Sequence, residues 1–69
     1  MPTNTSVLEF IQGQLDMEVN SHDSLDSLGL ESLELLDLQL ECEKRFERHI
    51  SPETYNSMHT VGDLANAFC

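Results

Sequence analysis

The sequence predicts a small all-α domain, and three observations support this fold class. Apolar residues recur at spacings of three and four in three separate segments, which is the period of amphipathic helices. Ser or Thr residues that suit helix caps stand at the starts of helical segments. No stretch alternates apolar and polar residues as a half-buried strand does. We therefore expect three main helices and one short helix in a single domain over residues 1–69, in which residues 1–4 form a loose start.

The first helix is predicted from Thr5 to about Met17. Its apolar positions recur at helical spacing; they are Val7, Leu8, Ile11 and Leu15. Ser6 and Glu9 have the spacing of a capping box. Three neighbouring residues are alternative caps: Thr3, Asn4 and Thr5. Gly13 in the helix interior costs about 1 kcal/mol relative to alanine, and it either permits close packing or is only tolerated.

A long connection rich in Ser, Asp and Asn follows, over residues 18–31. A loop of this length in so small a domain carries function or packs through its own side chains. Four apolar residues are spaced to tuck beneath the bundle: Val19, Leu25, Leu28 and Leu30. Asp-Ser-Leu occurs twice, at 23–25 and 26–28, but neither copy precedes a sustained helical pattern.

The main helix is predicted from Ser32 to about Arg48 and has two apolar stripes. The first should fill the core and contains Leu35, Leu38, Cys42 and Phe46. The second contains Leu33, Leu36 and Leu40, and it is interleaved with Asp37 and Glu41. It is either part of a broad buried face or an exposed apolar strip that docks onto partners. Glu41 and Arg45 also have the i,i+4 order of a favourable ion pair.

Two further helices complete the prediction. Ser51 caps a short helix over Pro52–Asn56, with proline at the first helical position. Thr60 and Asp63 form a capping box for the last helix. The apolar face of that helix consists of Val61, Leu64, Ala65 and Phe68.

Composition narrows the class of function. The chain has 69 residues, with 13 acidic and 3 basic side chains and a net charge of −10. Nucleic acids and anionic membranes would repel such a surface, so proteins with basic patches are the expected partners. A domain of this size buries only about 60% of its unfolded surface, which leaves no room for a deep enzymatic cleft. We expect a cytoplasmic protein, because neither an apolar span nor a secretory leader is visible. We also expect a monomer.

The sequence supports neither a metal-binding site nor a catalytic nucleophile. The three histidines have no mutual ligand spacing, the cysteines do not complete one, and the acidic loop does not fit a calcium-binding frame. Cys42 falls on a core position, where it acts as a small apolar residue. Ser32 has no histidine near it in the sequence, which argues against a serine hydrolase. Its place at a helix start is instead suited to a phosphate, because free N–H groups and the helix dipole point there.

The run Gly29-Leu30-Glu31-Ser32-Leu33 resembles the prosthetic-group site of acyl and peptidyl carrier proteins, in which Gly-x-Asp-Ser-Leu opens the second helix. The resemblance extends from about Val7 to Phe68 and includes Phe46, Ile50 and Thr60-Val61 in the family's order and spacing. It implies an acyl-carrier-like bundle that catalyses nothing itself. It also implies that a phosphopantetheinyl transferase moves 4′-phosphopantetheine from coenzyme A onto Ser32. The arm would then hold acyl or aminoacyl groups as thioesters.

The resemblance also implies a partner surface along the main helix, where carrier proteins meet the enzymes that load and transfer their cargo. Acidic side chains would steer basic partners and apolar ones would make the contact. The residues concerned are Glu31, Leu33, Glu34, Leu36, Asp37, Leu40 and Glu41, with Met58 near the root of the arm. Glu31 stands where the family usually has aspartate, and Lys44 stands where fatty-acid carriers commonly have an acidic residue. The loop before Ser32 is also shorter than in typical fatty-acid carriers, and together these departures favour a specialised, stand-alone carrier. The alternatives are an unmodified regulatory module with this fold and an unrelated acidic helical adaptor.

Overall fold

A computed structural model describes residues 2–69, and within that range it contains helices, turns and one isolated bridge between Ser24 and Thr60. Helix α1 spans Asn4–Leu15, α2 spans Ser32–Phe46, α3 spans Pro52–Asn56 and α4 spans Val61–Ala67. A single 3₁₀ turn covers Asp26–Leu28 in the loop between α1 and α2. The predicted all-α class, with three main helices, one short helix and a long first loop, is confirmed. In the described part of the chain, no helix has the length and the apolar run needed to cross a bilayer.

Helix α1 begins and ends earlier than predicted. Thr3 is the N-cap, and its hydroxyl accepts the Ser6 N–H at 3.1 Å while the Ser6 hydroxyl accepts the Thr3 N–H at 2.9 Å. The predicted Ser6–Glu9 capping box is therefore wrong, and Thr3, one of the three alternative caps, is the N-cap. Thr3 and Asn4 belong to the helix start where a loose segment was predicted; Met1 lies outside the described residues. Asp16 adopts a left-handed conformation with φ 53° and ends the helix at Leu15.

The long loop packs against the bundle as predicted. Val19 is buried in the core, and three more apolar loop residues are half-buried against it: Leu25, Leu28 and Leu30. Backbone hydrogen bonds also join the loop to the start of α4, since Val61 N–H donates to Asp23 O at 2.9 Å and Gly62 N–H donates to Ser21 O at 2.8 Å. These bonds hold residues 21–23 of the loop against the start of α4.

Helix α2 ends at Phe46, two residues before the predicted end. Glu47 takes a left-handed conformation with φ 51°, and the Arg48 N–H closes the last turn by donating to Glu43 O at 3.1 Å. The Arg48 guanidinium then donates to the carbonyls of Ala67 and Cys69 at 3.2 and 2.8 Å. This cation therefore stabilises the end of α4, where the helix dipole is negative.

The core lies where α1, α2 and α4 meet. The whole predicted face of α4 is buried, together with Leu38 and Cys42 from α2 and Val7 and Ile11 from α1. Leu35 and Phe46 of the predicted α2 core stripe are half-buried and pack against this cluster. Both caps predicted for the last two helices are confirmed: Ser51 accepts Thr54 N–H, and Thr60 forms a capping box with Asp63. The fold therefore leaves the first turn of α2, and the side of α2 opposite the core, exposed to solvent.

Candidate functional site

Ser32 is the first residue of α2, and its side chain is exposed. Glu31 is the N-cap in an extended conformation, and its N–H donates to the Glu34 carboxylate at 3.3 Å. The N–H groups of Ser32 and Leu33 have no partner inside the helix, because the first turn of any α-helix lacks preceding carbonyls. Gly29 precedes this turn with φ 71°, a conformation that glycine adopts without strain. Together these features present a hydroxyl at the positive end of a 15-residue helix.

The other exposed serines use their hydroxyls locally. Ser27 Oγ donates to Ser24 O at 2.7 Å, and Ser24 Oγ accepts the Ser27 N–H at 3.0 Å. Ser51 and Ser57 likewise form hydrogen bonds with Thr54. Since each of these hydroxyls helps to fold a turn or cap a helix, a modifying enzyme would have to break local structure to use it. Ser32 combines an exposed position with a helix start that does not depend on its hydroxyl.

The second apolar stripe of α2 lies on the surface. Leu33 is 78% exposed, Leu36 48% and Leu40 45%. The broad buried face, which was one of the two predicted explanations, is therefore wrong, and an exposed apolar strip is what the structure shows. Isolated exposed leucines are ordinary, but three in a row along one helix form a surface that proteins use for contact.

Acidic side chains surround this strip. Glu31, Glu34 and Asp37 are exposed, and Glu41 is half-exposed further along the helix. Glu41 lies 3.7 Å from the ammonium of Lys44, so the predicted pairing with Arg45 was wrong. Arg45 instead stands over the ring of Phe46, with 5.6 Å between the guanidinium carbon and the ring centroid. The Glu41–Lys44 pair is exposed and contributes little to stability. Since Lys44 is one cation beside four acidic side chains, the border of the strip stays negative.

A groove of about 360 Å³ runs between α2 and α3 beside this strip. One wall of the groove is formed by α2 and includes Leu36, Gln39 and Leu40. The opposite wall includes Ile50 and Pro52. The groove lies one helical turn beyond Ser32, because Leu35 and Leu36 line it and follow the serine by three and four residues. An apolar groove thus begins about one turn along α2 from the exposed hydroxyl.

Three polar side chains meet at the far end of the groove. The Tyr55 hydroxyl donates a hydrogen bond to Glu43 Oε2, and His49 Nδ1 lies 3.2 Å from Glu43 Oε1. The bond from Tyr55 is the main cause that lowers the pKa of Glu43, against the effect of partial burial. Burial, and then the bond to Glu43, raise the pKa of Tyr55 above its usual value. At neutral pH the carboxylate is therefore ionised and the phenol is protonated.

The remaining predicted site residue, Met58, is half-buried against the core between α3 and α4. Cys42 is buried in the core as predicted, and burial raises the pKa of its thiol to about 12, so it is an inert apolar group at neutral pH. Among residues 2–69, no three His, Cys, Asp or Glu side chains are placed to hold a metal ion together.

The sequence pattern did not predict the groove or the group of Glu43, Tyr55 and His49. Glu43 and Tyr55 are twelve residues apart and belong to different helices, so their contact depends on how α3 folds back. One signal was present, since Glu43 lies about one turn beyond Gln39 and Leu40 on the same side of α2. That spacing identifies the helix face but not the partner.

The fold and the site define a class of protein: a small helical domain that presents a free serine at the start of its central helix, beside an apolar and acidic surface. The chain matches the family model of the phosphopantetheine attachment site over residues 5–68. No curated protein and no solved structure matches it significantly. The family match covers nearly the whole chain, so the protein belongs to the phosphopantetheine-attachment family.

Family membership establishes the cofactor and the general role. A domain of this family is a site of covalent 4′-phosphopantetheine attachment and functions as a carrier. Carrier domains interact with a phosphopantetheinyl transferase and with acyl-handling enzymes. The residues at the start of α2 fit this group, because an exposed hydroxyl can form the ester and the free N–H groups of the first turn suit a phosphate.

Proposed function

We propose that the chain is an acyl carrier protein in which Ser32 bears the 4′-phosphopantetheine. The observation that carries this proposal is the exposed serine at the first residue of α2, in a chain that matches the attachment-site family over residues 5–68. The attached group supplies a terminal thiol that holds acyl or aminoacyl groups as thioesters. The protein's own residues present the group to enzymes of a specialised biosynthetic pathway and catalyse no reaction.

We expect Ser32 to be the only site that takes up phosphopantetheine. The purified chain is incubated with coenzyme A, magnesium and a broad-specificity phosphopantetheinyl transferase, and its intact mass is measured. The parent should gain one phosphopantetheine and Ser32→Ala should gain none. Ser27→Ala is the matched control, and it should gain the group like the parent, because the Ser27 hydroxyl is already bonded to Ser24 O.

Two results would overturn this assignment in different ways. If Ser32→Ala still gains the mass, the carrier role stands and the attachment residue is another one. If the parent gains nothing with several transferases, the chain is an unmodified acidic interaction module with a carrier-like fold.

We further propose that enzymes dock on the exposed strip of α2. Leu33, Leu36 and Leu40 provide the apolar contact. Glu31, Glu34, Asp37 and Glu41 steer enzymes with basic patches, and Met58 contributes near the root of the arm. The support is the exposure of the three leucines together with their acidic border. Charges at the rim of an interface act mainly on the association rate and on partner choice.

Charge reversal tests this surface. Asp37→Lys should slow the transfer of phosphopantetheine severalfold, because it removes one attractive charge and adds a repulsive one opposite a basic enzyme. Glu9→Lys makes the same change on α1 and should leave the rate close to that of the parent. The measurement is the second-order rate constant of modification at low and moderate salt, with melting curves to show that both variants are folded. Equal rates for the two variants would place the docking surface elsewhere.

A further inference from the structure

The groove between α2 and α3 has a carboxylate at the end that lies away from Ser32. Its walls are mostly apolar, but the Glu43 side chain is 15% exposed and stands among the residues that line it. An ionised carboxylate offers about four acceptor positions. Tyr55 and His49 use one each, and the Ile50 backbone N–H also acts on this carboxylate. About one acceptor position therefore remains for another donor.

Helix geometry relates this carboxylate to the proposed attachment residue. Glu43 follows Ser32 by about three turns, or about 16 Å along the axis, so the two residues lie on nearly the same side of α2. The groove begins with Leu35 and Leu36 and ends at Glu43 and His49. An extended arm attached at Ser32 and laid along this side of the helix would therefore bring a thioester to the region of Glu43.

The polar end of the groove distinguishes between kinds of cargo. A hydrocarbon end laid over Glu43 would remove water from an ionised carboxylate without replacing its hydrogen bonds, which is unfavourable. A carboxylate on the cargo would meet a like charge in a chain whose net charge is already −10. A protonated amino group would replace the lost water with a charge-assisted hydrogen bond.

We propose that Glu43 is a specificity residue that favours thioester-bound cargo with a protonated amino group over cargo with a plain hydrocarbon end. This inference rests on the proposed function, because it requires the arm to be attached at Ser32. Tyr55 is a positioning residue in this arrangement, since its hydroxyl holds the Glu43 carboxylate against α3.

Two cargoes of nearly equal size provide the test. A broad-specificity transferase loads ¹⁵N-labelled protein from 3-aminopropionyl-coenzyme A or from butanoyl-coenzyme A, which differ only by an ammonium in place of a methyl group. Intact mass confirms that each is attached. We expect the aminopropionyl form to shift the amide signals of Glu43, His49 and Tyr55 relative to the form with the bare arm, and to melt at a higher temperature than the butanoyl form.

Two variants separate charge from structure. Glu43→Gln keeps the size and an acceptor for Tyr55 but removes the charge, so the difference between the cargoes should disappear. Tyr55→Phe keeps the carboxylate but removes the hydroxyl that holds it, so the preference for the amino cargo should weaken without disappearing. Equal shifts and equal melting for both cargoes in the parent would overturn the inference while leaving the carrier function intact. If no mass is gained from either thioester, the proposed function fails and this inference fails with it.

Discussion

Leu38→Ala should lower the free energy of unfolding by about 2–5 kcal/mol. Leu38 is buried in the core beside Cys42, so truncation removes apolar contacts and leaves a cavity that the surrounding helices fill only in part. A domain of this size has a small stability margin, and each kcal/mol lowers the melting temperature by about 4–8 °C. The measurement is urea unfolding followed by circular dichroism at 222 nm, with the midpoint and slope both fitted.

Leu33→Ala is the matched control for this prediction. It removes the same atoms from the same helix, but Leu33 is 78% exposed. The free energy of unfolding should therefore change by no more than about 0.5 kcal/mol. If the two variants lose equal stability, the assignment of one side of α2 to the core and the other to the surface is wrong.

The contrast between these leucines also shows what the sequence was able to predict. Periodicity along α2 separated Leu38 and Cys42 from Leu33, Leu36 and Leu40, because the spacing of side chains around a helix is a local property. It left open whether the second group was buried, since that depends on what packs against α2. The structure answers this question because α3 is short and leaves Leu36 and Leu40 beside an open groove.

Helix ends were predicted best where one cap had no competitor. Ser51 before Pro52, and Thr60 before Asp63, each stood alone and were confirmed. At α1 several polar residues were able to cap, and the choice of Thr3 coincides with a hydrogen bond from the Asn4 side chain to Asn66 on α4. The sequence pattern of α1 contains no information about that distant partner.

The end of α2 illustrates the same limit for charged residues. Lys44, Arg45 and Arg48 cluster in the sequence near the end of α2, where cations suit the negative end of the helix dipole. Lys44 and Arg45 do lie in its last turn, but Arg48 reaches across to the carbonyls that end α4. A basic residue near a helix end in the sequence can stabilise the negative end of a helix dipole. Which helix it stabilises depends on the tertiary fold.

The glycines in α1 and α4 should respond to alanine with opposite signs. An alanine Cβ at Gly62 would lie 2.9 Å from the carbonyl oxygen of Ser21 and 3.2 Å from its Cβ. The Gly62 N–H also donates to that oxygen, so relief of the clash has to move the loop away from α4. Overpacking of this kind costs about 1–3 kcal/mol. Better helix propensity offsets up to about 1 kcal/mol of this cost, so we expect a net loss centred on about 1 kcal/mol.

Gly13→Ala is the internal comparison, because it makes the same chemical change in the interior of another helix. Nothing lies within 4 Å of a Cβ built at Gly13, so of the two interpretations of this glycine the structure supports simple tolerance over close packing. Alanine there should raise the free energy of unfolding by about 0.4–1 kcal/mol through helix propensity and a less flexible unfolded chain. The pair is compared by urea unfolding under one set of conditions. Stabilisation by both substitutions would mean that the loop is not held tightly to α4 through Ser21.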